Sequence, residues 1–155
     1  MATSAVPAAV DALLAILRAA PALADARIVD GPPSVNLTER HRIYVGWSPG
    51  ADQAIDIAQD FASAGARTRD ESFDIACYAE TRAGDKDMAL RRTAVFELLA
   101  AVEVALRATG DAPTAPTLSG TVQWAHLTAG GLVQEQSDGG ALAGLSFTVT
   151  CRARI

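Results

Sequence analysis

Residues 145–155 alternate without a break, with Leu145, Phe147, Val149, Cys151, Ala153 and Ile155 on one side and Ser146, Thr148, Thr150, Arg152 and Arg154 on the other. Side chains at period two point to opposite faces of a strand, so this segment has one face for a core and one for water. A strand of that kind needs partner strands along its edges and an apolar layer over its buried face. The rest of the chain is read for both.

The covering layer has two candidates. Val6, Val10, Leu13, Leu14 and Leu17 form a helical stripe over Val6 to Ala20, with Ser4 placed to cap it, Pro7 in its first turn and Pro21 at its end. A longer helix opens at Gly84-Asp85, with Asp85 as cap and Asp87 in the first turn. Its apolar stripe is Met88, Val95, Leu98, Leu99, Val102 and Leu106. Glu103 and Arg107 are spaced for an i,i+4 pair, and Gly110 is placed to close it, which predicts about 23 residues and ~35 Å.

Partner strands are expected at Arg27-Ile28-Val29, before the breaker Gly31-Pro32-Pro33, and at Arg42 to Trp47, where Ile43, Val45 and Trp47 share a side opposite Arg42, Tyr44 and Gly46. Ala54 to Phe61 fits either period, and a strand is favoured because a turn and a further strand follow, making a long hairpin with a polar tip around Gly65 to Asp70. Ser72 to Glu80 alternates, with Phe73, Ile75, Cys77 and Ala79 facing in and Ser72, Asp74, Ala76, Tyr78 and Glu80 facing water. Thr121 to Leu127 alternates around Val122, Trp124 and His126, and Gln134 to Gly140 carries a turn signal at Asp138-Gly139-Gly140. The order is α-β-β-β-β-α-β-β. It predicts a single α+β domain over 1–155, a mostly antiparallel sheet with an N-terminal helix and one long helix packed on it, plus an extended β-hairpin.

Thirteen Lys and Arg against eighteen Asp and Glu give a net charge of -5, without a basic cluster that would hold phosphate backbone. Twelve of the thirteen cations are arginine and about a fifth of the chain is alanine, a bias that fits a GC-rich coding genome. Phosphate-binding, dinucleotide-binding, nucleophile-elbow and zinc-protease motifs are missing from the sequence, so no enzyme, cofactor or metal is expected. His41 lies between two arginines, as a solvated side chain would, and His126 in phase with Trp124 reads as a packed or interface imidazole. Cys77 and Cys151 stand singly in alternating segments and read as buried free thiols. Asp11 and Arg18 interrupt the longest N-terminal apolar run, and no basic segment precedes it, so a soluble protein made in a reducing cytoplasm is expected.

Several segments in this order resemble the tail terminator and tail-completion proteins of long-tailed phages and phage-like particles, in the style of actinobacterial phages and prophages. They are the helix around Val10-Asp11-Ala12-Leu13-Leu14, Val29-Asp30-Gly31-Pro32, Arg42-Ile43-Tyr44-Val45-Gly46, and the hairpin closing on Glu71-Ser72-Phe73-Asp74-Ile75. The long helix after Gly84-Asp85, Leu118-Ser119-Gly120-Thr121-Val122 and the closing strand Phe147 to Arg154 complete the pattern, which covers essentially the whole chain.

The resemblance implies a structural virion protein that forms a ring, usually of six copies, at the head-proximal end of the tail tube. Such a ring ends tube polymerisation and offers a docking surface to the head-tail connector, with DNA passing through the centre unbound. The partners would be further copies of this chain, the tail tube protein and the connector, with no membrane involved; assembly would take place in the host cytoplasm. An acidic, lysine-poor surface suits such a channel. Asp52, Asp56, Asp60, Asp70 and Glu71 are the candidates for facing the lumen or tube, and Arg67, Arg69, Arg152 and Arg154 for subunit contacts, with edge protection as another role for the last two. Alternatives are a head-tail connector or adaptor, and a small α+β ligand-binding protein with a pocket between sheet and long helix near Trp47, Trp124 and His126.

Overall fold

The computed structural model describes residues 3–34, 37–65 and 67–155. The elements are α1 (Val6–Ala19), β1 (Ala26–Asp30), β2 (His41–Val45), β3 (Ile55–Phe61), β4 (Arg69–Arg82), α2 (Met88–Ala105), β5 (Trp124–Ser137) and β6 (Gly140–Arg154), with 3-10 turns at Pro21–Leu23 and Ala115–Thr117. This is the expected α+β order. The sheet runs β1-β2-β4-β6-β5, antiparallel except for the parallel β1–β2 pair, and β3 lies beside β4.

The spine is β4 against β6, in unbroken register from Asp70 opposite Arg154 to Arg82 opposite Leu142. The alternation of β6 is realised as read, because Leu145, Phe147, Val149, Cys151 and Ala153 are buried on the inner face with Phe73, Ile75, Cys77 and Ala79 of β4. Both helices cover that face, α1 through Leu13, Leu14 and Leu17 and α2 through Val95, Leu98, Leu99, Val102 and Leu106. Each buried leucine contributes about 2 kcal/mol, so packing outweighs any single cap in holding α1. Cys77 and Cys151 are buried free thiols, and burial pushes both up to about 12.

Several boundaries differ from expectation. The cap of α2 is Asp87, whose carboxylate accepts from the Leu90 N–H at 3.2 Å, while Asp85 accepts from the Asp87 N–H. The helix has 18 residues and ends at Ala105, because Leu106 takes the non-helical capping position; Gly110 lies beyond it. Arg107 is therefore off the helix, and it forms no ion pair with Glu103 among the described residues. At α1 the capping position is Ala5, and Ser4 accepts from the Val6 N–H. Strand β5 starts at Trp124 and runs through the polar stretch to Ser137, so β5–β6 is the longest hairpin; a register shift between Ala129 and Leu132 breaks its pattern.

Strands β2 and β3 lie end to end along one side of β4. Val45 pairs with Cys77 and Ile55 with Ile75, and between them Ala76 faces an excursion of the chain. Its carbonyl accepts from both Gly46 (2.8 Å) and Trp47 (2.9 Å), and its N–H donates to the Ala54 carbonyl at 3.0 Å. This is a bulge with glycine in the left-handed region, Gly46 at φ 79°. The extra residue reverses the side on which Trp47 falls. It therefore leaves Ile43 and Val45 and packs edge-on against Tyr44 (5.1 Å) and Tyr78 (5.9 Å) on the outer face.

Candidate functional surface

The outer face of the sheet divides at Ala76. On the β3 side it carries Asp56 and Asp60 of β3, Asp70, Ser72 and Asp74 of β4, and Thr150, Arg152 and Arg154 of β6, placed there by register. Asp70 gathers both closing arginines, with Arg154 Nε at 2.8 Å and Arg152 at 3.7 Å. The Arg154 hydrogen bond holds its carboxyl below the ordinary range. Asp74 accepts from the Thr150 hydroxyl at 2.7 Å. One strand further, Trp124 and His126 stack at 4.5 Å on the same face, and His126 is exposed.

The five acidic candidates separate. Asp52, Asp56 and Asp60 are exposed and belong to no ion pair among the described residues. Asp70 is on the same surface but neutralised by Arg152 and Arg154. Glu71 is not on it at all: its side chain is 0% exposed. It points inward in phase with Phe73 and Ile75, and its carboxylate accepts from the Ala5 N–H at 2.8 Å and from the Gln59 amide. A buried carboxylate needs such donors, and here it ties the start of α1 to the β3–β4 hairpin. The arginine candidates separate too. Arg69 donates to Gln59 Oε1 at 3.0 Å, Arg152 and Arg154 engage Asp70, and Arg67 is exposed in the hairpin turn.

Strand β3 has β4 on one side and, among the described residues, no strand on the other. On its inner-face side, Ile57 and Phe61 reach past the core and are 48% and 72% exposed. Phe96 and Val104 are exposed on α2, away from its buried stripe, and Leu90 is exposed at its first turn.

The rings of Trp47 and Trp124 belong to the outer face, away from α2, while a cleft of about 270 Å³ does lie at His126, between Ala125 and Leu127 of β5 and Glu103, Leu106 and Arg107 at the end of α2. A larger cavity between α2 and the sheet lies at the start of β2, where about 420 Å³ is bounded by His41, Arg40 and Asp25 and by Leu90, Arg91, Ala94 and Glu97 of α2. His41 is half-buried rather than a solvated loop side chain. Burial, then the neighbouring Arg91, lowers its pKa below the usual 6.5. Compared with models of known protein families and with curated proteins, the sequence matches none.

Proposed function

We propose that the chain is a structural virion protein of the tail-terminator type, forming a six-membered ring at the head-proximal end of the tail tube and presenting the docking surface for the head-tail connector. The element order that carries the resemblance is the order of the fold. The observation that most supports assembly is β3, a strand with one edge unpaired among the described residues and two large apolar side chains, Ile57 and Phe61, open to solvent. Free edges and exposed apolar groups are used by head-to-tail contacts, and head-to-tail contacts close into rings when the rotation fits. The unpaired carboxylates of Asp52, Asp56 and Asp60 give the same margin a charge that repels DNA, which suits a lumen; Asp70, neutralised within the chain, contributes little to it.

Light scattering and negative-stain imaging with purified tail tube protein test this directly. Ring-shaped caps at one end of tubes of limited length are expected, and Ile57→Asp with Phe61→Asp abolishes them while the circular-dichroism spectrum is kept. In particles, loss of the protein gives over-long tails. Tails of normal length that fail to join heads would identify a connector instead, and a chain that neither caps tubes nor joins them to heads would sink both readings.

A further inference from the structure

The sheet has two margins that match each other. On one side, the Ala54 carbonyl accepts from the Ala76 N–H and the Ala62 N–H donates to the Thr68 carbonyl. In an antiparallel pair backbone bonds alternate, so Asp56, Ala58 and Asp60 bond to β4, while Ile55, Ile57, Gln59 and Phe61 turn their amides and carbonyls outward. On the other side, Arg69 and Ile155 exchange both backbone bonds, so the odd-numbered residues of β6 bond to β4 and Thr150 and Arg152 bond to β5. Their partners His126 and Trp124 are thereby tied to β6, and Ala125 and Leu127 turn their backbone groups outward. Among the described residues no strand lies beyond either margin.

Register carries the two margins to the same height. Ile57 lies opposite Phe73, Phe73 opposite Cys151 and Cys151 opposite Ala125; Ile55 leads in the same way through Ile75 and Val149 to Leu127. Each step is antiparallel, so β3 and β5 run in opposite directions. A second copy set beside the first in the same orientation therefore pairs these strands antiparallel, Ile57 with Ala125 and Ile55 with Leu127, inner face joined to inner face.

Side chains agree with the backbone. Gln59 is turned inward onto Glu71 and the Thr3 carbonyl, whereas Ile57 projects. Ala125 and Leu127 line the cleft of about 270 Å³ that Leu106 bounds at the end of α2, so the pairing brings Ile57 to its apolar side. On the outer face Asp56 meets His126, and residues 124–134 of β5 carry no acid. Antiparallel pairing of β3 with its own copy would instead set Asp56 against Asp60, like charges directly opposite.

We propose that the outward edge of β3 in one copy pairs with the outward edge of β5 in the next, continuing the sheet across the joint with Ile57 seated against Ala125, Leu127 and Leu106 of its neighbour. This rests on the ring reading above and assigns its joint. The contact is heterologous, main-chain bonds hold it, and it closes only by rotation.

Asp56 and His126 form a non-hydrogen-bonded pair in this joint, with Cα atoms about 4.5 Å apart, within disulfide reach. Both are exposed, and the native thiols Cys77 and Cys151 are buried. Oxidation of Asp56→Cys/His126→Cys, alone and with tail tube protein, is expected to give a ladder of linked species ending at the closed ring. Each single variant stays unlinked, and the two mixed give only linked pairs. Asp60→Cys/His126→Cys, out of register, links at least roughly tenfold more slowly, and adding Ile57→Ser slows the matched pair about tenfold. Single variants that link to themselves, an out-of-register pair that links as fast, or a matched pair that stays unlinked in both conditions would overturn the proposal. Tubes capped without the matched link overturn this joint and keep the terminator reading; matched links from a chain that caps no tubes uphold the joint and sink that reading.

Discussion

Strand β4 passes through two environments. From Glu71 to Ile75 burial alternates strictly, the odd residues inside and Ser72 and Asp74 wet; from Cys77 to Thr81 every residue is buried. The first half is flanked by β3, whose outer face is open to solvent. The second is flanked by β2, whose outer face is covered. There Tyr44 and Tyr78 pack with Trp47, and Arg42 is clamped by Glu80 at 3.7 Å and by the carbonyls of Glu39 and Leu37. The comparison teaches that an alternating sequence specifies which face a residue takes, while the cover laid over that face decides whether it is buried.

Removing an acid at each end sharpens this contrast. Glu80→Ala leaves Arg42 buried without its carboxylate and is expected to destabilise by about 4 kcal/mol, seen as a lower midpoint in urea at unchanged slope. On the inner face of the open half, Glu71→Ala orphans the Ala5 N–H and opens a void, for about 3 kcal/mol, and hydrogen exchange at the start of α1 accelerates. Gly144→Ala tests the covered half again. A Cβ there would lie 2.3 Å from Tyr78 Cζ, inside a packed ring, so about 2 kcal/mol is expected from thermal unfolding.

The smallest effect belongs to Asp70→Asn, in the wet half. Because the folded pKa of Asp70 is lowered, its contribution is present above the ordinary 3.8 and lost as pH falls through the folded value. The variant should therefore differ from the parent above that window, converge with it in stronger acid, and lose the difference in molar salt. If Asp70→Asn proved as damaging as Glu80→Ala, the two halves would not differ as described.

The layout of the fold was legible because it rests on periods. The closing strand and the first helix follow from spacings of two and three to four, and the order of all eight elements from those spacings together with the turn signals between them. Glu71 was equally legible, since it lies in phase with Phe73, Ile75 and Cys77, and Gln59 likewise with Ile55, Ile57 and Phe61. Acidity argued for the surface and obscured the phase. Trp47 was misread because the bulge at Gly46 changes parity within one residue, and the register shift in β5 hid its continuation in the same way. Burial of Tyr78 and Glu80 depends on residues far off in sequence, as does the cleft beside His41, where an edge strand, a turn and a helix converge.

Ala76 has a consequence for how this chain can vary. Its two backbone groups fasten both ends of the excursion from Trp47 to Ala54, so the intervening residues form a closed loop resting on a single residue of β4. Closing a loop grows harder only with the logarithm of its length, by roughly 0.6 kcal/mol for each doubling. Pro49, Gly50 and Ala51 are exposed within it. Segments of different length can be spliced there while β2 and β3 keep their places on either side, which makes this the point where the margin of the sheet can be re-tailored without redesigning the core.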